Sequence, residues 1–399
     1  MSDERGTAAT GREREAPAAL RSLLERFDPD PIDVPGKAAR VRLQVRGEGA
    51  WDAALSGDGV RLVPSDRDPD ALLSADARAW EQIAADVRCG MEAFRDGRLH
   101  VRQNLHLGIG FLAATSGITG PGRLRFHTVD TRVGKLSALS AGVGDPVVCI
   151  HGLGGTKVSF VPTVAALAES YRIIALDLPG FGESDKPILA PYDASYFARS
   201  VIALLDRLQI ERAHLIGNSM GGRVAIEVGL RYRRRVSGVV LLSPALAWLR
   251  ERPWKGLLRL PLPRLGLVQP TPRGITEAIV RRLVPSGSDG WAAAGVDEFL
   301  RSYLTPRGRV AFYEAARNIY LDEPHGERGF WTRLRRLSAP TMFVWGRRDA
   351  LVPIGFMKHV EATLPRARHM ELDCGHVPQL ERPRETHAAI REFLSQLGA

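Results

Sequence analysis

The sequence predicts an α/β fold, in which parallel strands alternate with helices, preceded by a smaller α+β unit. From about residue 123, short apolar runs typical of buried strands alternate with longer helical stretches at the spacing of β-α-β units. Within that region Gly217-Asn218-Ser219-Met220-Gly221 stands between an apolar strand and a helix. Closely spaced alternating strands between residues 41 and 63 predict an antiparallel meander in the smaller unit.

Composition and length are those of a globular protein with more than one domain. The chain has 399 residues, of which 44% are hydrophobic and 25% charged. Residues 1–33 contain neither the apolar core of a signal peptide nor any period, so we expect a flexible tail with a short helix near residues 18–27. Since apolar runs are too short to cross a bilayer, we expect a cytoplasmic protein.

The predicted domain organisation follows from shifts in composition. A small α+β unit covers residues 38–117, and a linker rich in glycine covers residues 118–122. The main domain covers residues 123–399, and a segment without strand pattern, about 246–338, is expected to form a helical lid. In the small unit we predict strands at 41–45, 50–55 and 59–63, helices at 77–87 and 90–95, and an alternating stretch at 97–102.

The main domain shows the strand and helix alternation most clearly. Because a parallel strand is buried on both faces, its sequence is a short, continuous apolar run. Strands are predicted at 124–129, 136–141, 146–150, 172–176, 213–217, 238–242, 341–345 and 369–373. Helices are predicted at 161–169, 196–208 and 220–230.

Ser219 is the candidate nucleophile. A tight strand-to-helix turn is strained and close to neighbouring strands, so it needs small flanking residues, which Gly217 and Gly221 supply. The turn exposes the serine hydroxyl and sets the Met220 N–H at a helix N-terminus, where negative charge is stabilised. These features predict nucleophilic catalysis at Ser219.

A serine nucleophile needs a base, and the base needs an orienting acid. Asp349 follows one predicted strand and His376 follows the next, so the order along the chain is Ser, Asp, His. Upstream, a buried strand runs into a glycine-rich loop that can direct the Leu153 N–H at a developing oxyanion, alongside the Met220 N–H.

These segments, together with Asp177-Leu178-Pro179-Gly180-Phe181-Gly182-Glu183-Ser184, make residues 123–399 resemble the α/β-hydrolase family. The resemblance implies Ser219 as nucleophile, His376 as general base and then acid, and Asp349 as its orienting partner. It also implies an oxyanion hole formed by the backbone N–H groups of Leu153 and Met220.

The leading functional interpretation is a serine hydrolase acting on an ester of an apolar acid through an acyl-enzyme. One alternative is hydrolysis of a carbon–carbon bond in dienone ring-fission products, because such enzymes resemble this chain at Gly217–Gly222. Those relatives, however, place tryptophan after the histidine, where this chain has Val377, and carry a different oxyanion loop. A second alternative is a lipid-binding protein with a vestigial catalytic site.

The small unit also resembles a known family. Phe94-Arg95-Asp96-Gly97-Arg98-Leu99-His100-Val101, followed by an apolar stretch over residues 108–113, is similar to the end of an SCP2-like sterol-carrier domain. The resemblance covers about residues 38–117 and implies an apolar tunnel for fatty acyl or sterol ligands. The unit would then bind or deliver a lipid-like substrate.

Charge and cysteine patterns limit the partners. The net charge of +10 comes from scattered arginines, so we expect no nucleic-acid function. Residues 247–336 hold sixteen Lys or Arg against nine Asp or Glu, and residues 248–260 mix tryptophan, leucine and cations, so peripheral membrane contact through the lid is a hypothesis. Histidine and cysteine spacing predicts no metal, no cofactor and no disulfide among Cys89, Cys149 and Cys374.

Overall fold

The computed structural model describes residues 15–57, 59–247, 273–283 and 289–398. The described strands form two sheets. The strands are β1 Ala38–Val45, β2 Gly49–Ser56, β3 Gly59–Val63, β4 Ala71–Ala75, β5 Leu99–Arg102, β6 Arg125–Thr131, β7 Gly134–Ala141, β8 Pro146–Ile150, β9 Arg172–Leu176, β10 Ala213–Asn218, β11 Val236–Leu242, β12 Thr341–Gly346 and β13 Arg368–Leu372.

Helices cover both faces of the larger sheet and one side of the smaller. They are α1 Ala18–Glu25, α2 Ala77–Ala85, α3 Cys89–Arg95, α4 Leu105–Ala114, α5 Val161–Leu167, α6 Ala194–Arg207, α7 Met220–Arg231, α8 Arg273–Leu283, α9 Asp289–Tyr303, α10 Pro306–Tyr320, α11 Phe330–Leu334, α12 Met357–Thr363, α13 Pro378–Glu381 and α14 Pro383–Ser395. No described helix is long and apolar enough to cross a membrane.

The N-terminal unit contains a five-stranded sheet in the order β3-β2-β1-β4-β5. The predicted antiparallel meander is present in β1, β2 and β3. The sequence analysis missed β4, which pairs in parallel with β1 and antiparallel with β5. The Asp76 side chain caps α2, one of the predicted helices, by accepting a hydrogen bond from the Ala79 N–H.

The short helix predicted near residues 18–27 is present as α1. It packs against the core, whereas the sequence predicted a flexible tail over residues 1–33. Leu20 and Leu23 of α1 are fully buried in the core that the N-terminal unit shares with the main domain. Beyond α1, Asp28 and Asp30 form ion pairs with Arg123, which leads into β6. Apolar spacing in α1 was too short a signal to outweigh the charged residues around it. Residues 1–14 lie outside the described residues.

The larger sheet has eight described strands in the order β13-β12-β11-β10-β8-β9-β7-β6. Strands β8 to β13 pair in parallel, whereas β6 and β7 form an antiparallel hairpin that continues onto β9. Parallel strands bring their carboxyl ends to one edge, and ligands of such sheets bind there. The loops after β8, β10, β12 and β13 therefore meet at one edge.

The lid predicted at about 246–338 lies between β11 and β12, and its described part contains α8 to α11. Ala311, Ala315 and Ile319 of α10 are buried against the main core. The segment 248–260, on which the membrane hypothesis rests, lies outside the described residues.

Candidate active site

Ser219 occupies a sharp turn between β10, which ends at Asn218, and α7, which begins at Met220. This is the strand-to-helix context that the sequence predicted. The backbone of Ser219 has φ 53° and ψ −116°, a conformation that side-chain-bearing residues rarely adopt. The strain persists because the surrounding packing holds both ends of the turn.

The glycines of the turn are required by backbone contacts. A Cβ atom on Gly217 would lie 2.3 Å from the Gly221 carbonyl oxygen, and one on Gly221 would lie 2.0 Å from the Ile150 carbonyl oxygen. Neither backbone atom can move without displacing a central strand or α7. The turn therefore accepts only glycine at these two positions.

Asp349 and His376 meet at the ends of β12 and β13. The His376 Nδ1–H donates a hydrogen bond of 2.8 Å to Asp349 Oδ2, and both side chains are almost fully buried. Asp349 Oδ1 accepts the N–H groups of Leu351 and Val352 at 2.8 and 2.9 Å, which fixes the carboxylate. This geometry leaves Nε2 of His376 as the proton-accepting nitrogen.

Ser219 is hydrogen-bonded elsewhere. Among the described residues its Oγ contacts the Tyr320 hydroxyl at 3.5 Å, and no hydrogen bond joins it to His376. The two loops nevertheless touch, because Asn218 Nδ2 donates to the His376 carbonyl oxygen at 3.0 Å. Nucleophile–base hydrogen bonds are often long before substrate binds, so the missing bond does not argue against His376 as the base.

The loop that carries His376 is held by a residue that the sequence analysis missed. Glu381 of α13 accepts the Gly375 N–H at 2.9 Å and the Val377 N–H at 3.2 Å, one on each side of the histidine. Glu381 is buried, and charged acceptors make stronger hydrogen bonds than neutral ones. The signal available in the sequence was an acidic residue five positions after the candidate histidine.

The predicted oxyanion loop lies against Ser219. A Cβ atom on Gly152 would lie 3.2 Å from the Ser219 Cβ, so Leu153 follows at the edge of the site. His151 Nε2 accepts the Leu178 N–H at 3.0 Å, so its Nδ1 carries the proton and donates to the Gly152 carbonyl at 2.7 Å. Burial lowers the pKa of His151, which keeps the ring neutral and holds the loop.

The far end of this loop is fixed by a buried ion pair. Lys157 Nζ lies 2.7 Å from Asp177 Oδ2, and neither side chain is exposed. Burial alone would raise the pKa of Asp177, but the charge of the Lys157 ammonium and the hydrogen bonds from that ammonium and from the Lys157 backbone N–H lower it to about 2. Asp177 belongs to the sequence segment that carried the family resemblance, and its role is to anchor the loop.

Tyr320, at the end of α10, is a second residue that the sequence analysis missed. Burial raises the pKa of its hydroxyl, which therefore stays protonated at neutral pH. Two residues on, Asp322 pairs with Arg223 of α7 and with Arg333 of α11. This network fixes the end of α10 beside the turn that carries Ser219.

The Cys374 thiol is not placed in an environment that would make it a nucleophile. Burial raises the pKa of the Cys374 thiol to about 12, so the thiol stays protonated despite its nearness to His376 along the chain. In the part of the chain that the structure describes, no three His, Cys, Asp or Glu side chains are grouped so as to hold a metal ion. The arrangement suits proton transfer and attack on a carbonyl carbon.

A family profile described as the alpha/beta hydrolase fold matches residues 145–383. The chain is 30% identical over 286 residues to a 2-hydroxy-6-oxononadienedioate/2-hydroxy-6-oxononatrienedioate hydrolase of Paraburkholderia phymatum, covering 70% of this chain and 94% of that protein. It is also 30% identical over 271 residues to a 2-hydroxy-6-oxo-6-phenylhexa-2,4-dienoate hydrolase of Burkholderia cepacia, covering 64% and 89%.

Among solved structures, a bacterial membrane phospholipase A is similar, with a TM-score of 0.58, 28% identity, and coverage of 69% of this chain and 86% of that one. The two hydrolases at 30% identity are named for ring-fission dienoate substrates, the class given above as the alternative to the ester interpretation.

Proposed function

The chain belongs to the α/β-hydrolase family and is a hydrolase, and from that premise we propose that it cleaves a small-molecule carbonyl substrate through Ser219. The proposal is supported above all by the strained turn at Ser219, set at the strand edge where Asp349 and His376 are hydrogen-bonded at 2.8 Å. A strained backbone maintained in a packed site is typical of a functional residue.

In the proposed mechanism His376 Nε2 takes the Ser219 hydroxyl proton as Oγ attacks the carbonyl carbon. Asp349 accepts the Nδ1–H and stabilises the imidazolium. The N–H groups of Leu153 and Met220 stabilise the oxyanion. Collapse of the tetrahedral intermediate breaks the bond to the leaving group, which receives the proton from His376, and water activated by the same histidine then releases the acid.

The first substrate class to test is a 2-hydroxy-6-oxo dienoate, because two relatives at 30% identity are named for such substrates. A carbon leaving group departs as a carbanion, which is accessible only if the substrate delocalises the charge. The 2-oxo tautomer of the dienoate, formed when the 2-hydroxyl proton moves to C5, does so because C5 is conjugated with the 2-oxo group. Cleavage of this tautomer requires from the protein the same nucleophile, base and oxyanion donors as cleavage of an ester.

Ester hydrolysis is the second candidate, and two observations favour it. Val377 follows the histidine where the ring-fission enzymes place tryptophan, and the phospholipase structure is similar at 28% identity. The two candidates differ in the leaving group, which is an alkoxide in an ester and a delocalised carbon in the dienoate.

The test compares the two substrate classes on the same protein. Loss of dienoate absorbance with 2-hydroxy-6-oxo-6-phenylhexa-2,4-dienoate is measured against release of p-nitrophenol from short and long acyl esters, for the full chain and Ser219→Ala. We expect turnover of one class that Ser219→Ala abolishes. If a fluorophosphonate probe forms no adduct on the folded chain, the hydrolytic proposal fails and a binding protein with a vestigial site is favoured.

For the N-terminal unit we propose a lipid-binding role, as its SCP2-like resemblance implies. An apolar cavity of about 240 Å³ supports this role, and its walls include Met91, Phe94 and Ile109 of that unit and Val161 and Val164 of the main domain. A fluorescent fatty acid such as parinaric acid should bind the chain, and Ile109→Trp, which fills the cavity, should abolish binding. Equal binding by both proteins would contradict the role.

Peripheral membrane contact through the basic lid also remains a proposal. It would show as co-sedimentation with anionic vesicles that high salt abolishes. If the chain stays in the supernatant at low salt, the membrane proposal fails.

A further inference from the structure

The N-terminal unit contacts the lid at one buried carboxylate, that of Asp297. Arg102, at the end of β5, donates to Asp297 of α9 through Nε at 2.6 Å and Nη2 at 3.3 Å. The Gln103 N–H adds a third hydrogen bond at 3.0 Å, from a backbone with φ 67°. The Asp297 side chain is only 5% exposed. A two-pronged arginine contact fixes orientation as well as distance.

Two residues after Asp297, α9 touches the oxyanion loop. Phe299 packs so closely on Gly154 that a Cβ atom there would lie 2.7 Å from its ring. The Phe299 ring also stacks on Tyr303 and meets Phe312 of α10 edge to face, so it has little freedom to withdraw. Gly154 adjoins Leu153, whose N–H is the proposed oxyanion donor.

A second contact ties α9 to the far end of the same loop. Arg301 pairs with Glu298 on its own helix and with Glu183 of the main domain. The Glu183 N–H donates to Asp177 Oδ2 at 2.8 Å, and Asp177 holds Lys157. Helix α9 therefore contacts the N-terminal unit at Asp297 and the surroundings of the oxyanion loop at two places beyond it.

We propose that the N-terminal unit holds α9 on the oxyanion loop through the Arg102–Asp297 pair, which makes Asp297 a positioning residue for hydrolysis at Ser219. This inference rests on the proposed function, because it assumes that the Leu153 N–H acts at Ser219. It gives the N-terminal unit a role in catalysis that is separate from any lipid it binds.

The test uses Arg102→Gln and Asp297→Asn in the full chain. The matched control is Arg46→Gln, since Arg46 is as exposed as Arg102 and its ion pair with Asp76 lies within the N-terminal unit. Hydrogen exchange is measured for peptides covering α9 and residues 151–157. Labelling of Ser219 by a fluorophosphonate and the separate kcat and KM values on the best substrate are measured alongside.

We expect faster exchange in both peptides for the two variants and not for the control. Labelling and kcat should fall by about 10-fold or more, because small misplacements of catalytic groups cost rates of this order. KM should change little, since oxyanion contacts act in the transition state. The double variant should be no slower than the worse single variant, because both remove the same contact.

The proposal is overturned if hydrogen exchange in residues 151–157 is unchanged in the two variants. It is also overturned if Arg46→Gln lowers kcat as much as Arg102→Gln and Asp297→Asn do. If the unchanged chain does not react with the probe but both variants show faster exchange in both peptides, the contact still holds α9 on the loop. Only the proposed function then fails. If Asp297→Asn does not fold, Arg102→Lys keeps the charge but loses the two-pronged contact, and it should show the same changes to a smaller degree.

Discussion

At the scale of single residues, the candidate site depends on side chains outside the predicted triad. Asn218 and Glu381 hold the backbone around His376, and Tyr320 contacts the Ser219 hydroxyl. A histidine on a loop can serve as a base only if the loop is fixed, because the imidazole must meet both the hydroxyl and the carboxylate. Each of these three residues can be tested by a conservative substitution.

Glu381→Gln should loosen the loop that carries His376. The amide of glutamine presents its own N–H groups to the Gly375 or Val377 N–H, so one charge-assisted hydrogen bond is lost and a donor faces a donor. We expect the free energy of unfolding to fall by about 1.5–3 kcal/mol, the range for hydrogen bonds to charged groups, and kcat to fall as well. Urea unfolding and kinetics check this, with exposed Glu361→Gln as the control that should change neither.

Tyr320→Phe removes the hydroxyl beside Ser219 and leaves the ring in place. Losing one neutral hydrogen bond near the reacting atoms should lower kcat by about 3- to 10-fold, with little change in melting temperature. The matched control is Tyr192→Phe, because Tyr192 is also buried but its hydroxyl donates to the Pro187 carbonyl instead. Equal rates for Tyr320→Phe and the unchanged chain would show that the contact with Ser219 has no part in the reaction.

At the scale of elements, the junction of β10 and α7 is where packing leaves least room. Gly221 lets the start of α7 approach the end of β8 within backbone contact, and Gly217 lets the end of β10 approach the first turn of α7. Helix α7 continues with Gly229, where an added Cβ would meet only the tip of the Leu337 side chain, at 2.6 Å. Helix α7 thus contains one glycine beside a fixed backbone atom and one beside a side chain that can move.

Gly221→Ala should prevent folding or destabilise the chain far more than Gly229→Ala. At Gly221 the new methyl group overlaps the Ile150 carbonyl oxygen, which is fixed in a strand. At Gly229 it meets only the Leu337 side chain, which can rotate away, and alanine is favoured over glycine within a helix by up to about 1 kcal/mol. Soluble yield and the midpoint of thermal unfolding report the difference. Comparable stability of the two variants would contradict the steric account of the turn.

At the scale of the whole molecule, buried neutral histidines join separate parts of the fold. His106 of α4 donates from Nε2 to the Asp33 carbonyl, and its ring meets Phe126 of the main domain edge to face. His387 of α14 lies 3.0 Å from the Thr163 hydroxyl of α5. Burial lowers the pKa of His106 to about 3 and that of His387 to about 4, from an ordinary 6.5.

These depressed pKa values predict acid destabilisation that begins below pH 6.5. The unfolded chain binds protons there while the folded chain does not, so each such histidine costs about 1.4 kcal/mol per pH unit as the pH falls. The free energy of unfolding should therefore fall by about 2 kcal/mol less between pH 6.5 and 5 in His387→Gln than in the unchanged chain. Urea unfolding at pH 7 and 5 tests this against exposed His359→Gln; equal pH dependence in the two variants would contradict it.

How much of the fold was predictable depends on the range of the interactions involved. The order of strands and helices in the main domain is encoded in apolar periodicity, and the turn at Ser219 in the spacing of its glycines, because both are set by neighbours along the chain. The helix α1 and the strand β4 were not recognised as packed elements, since each is short and stable only through contacts with the rest of the unit.

Local sequence patterns suffice to predict the fold class, the strand-to-helix turn and the order Ser219, Asp349, His376, because each depends on neighbouring residues and on the parallel sheet that they build. The groups that support the site emerge only in the folded chain: Tyr320 beside the hydroxyl, Glu381 at the histidine loop, and Arg102, which contacts Asp297 of α9. Arg102 and Tyr320 reach their partners across about a hundred residues or more of chain, and such contacts exist only once the core has brought the elements together. Glu381 is near His376 along the chain, but its carboxylate meets the histidine loop only because the chain turns into α13 there.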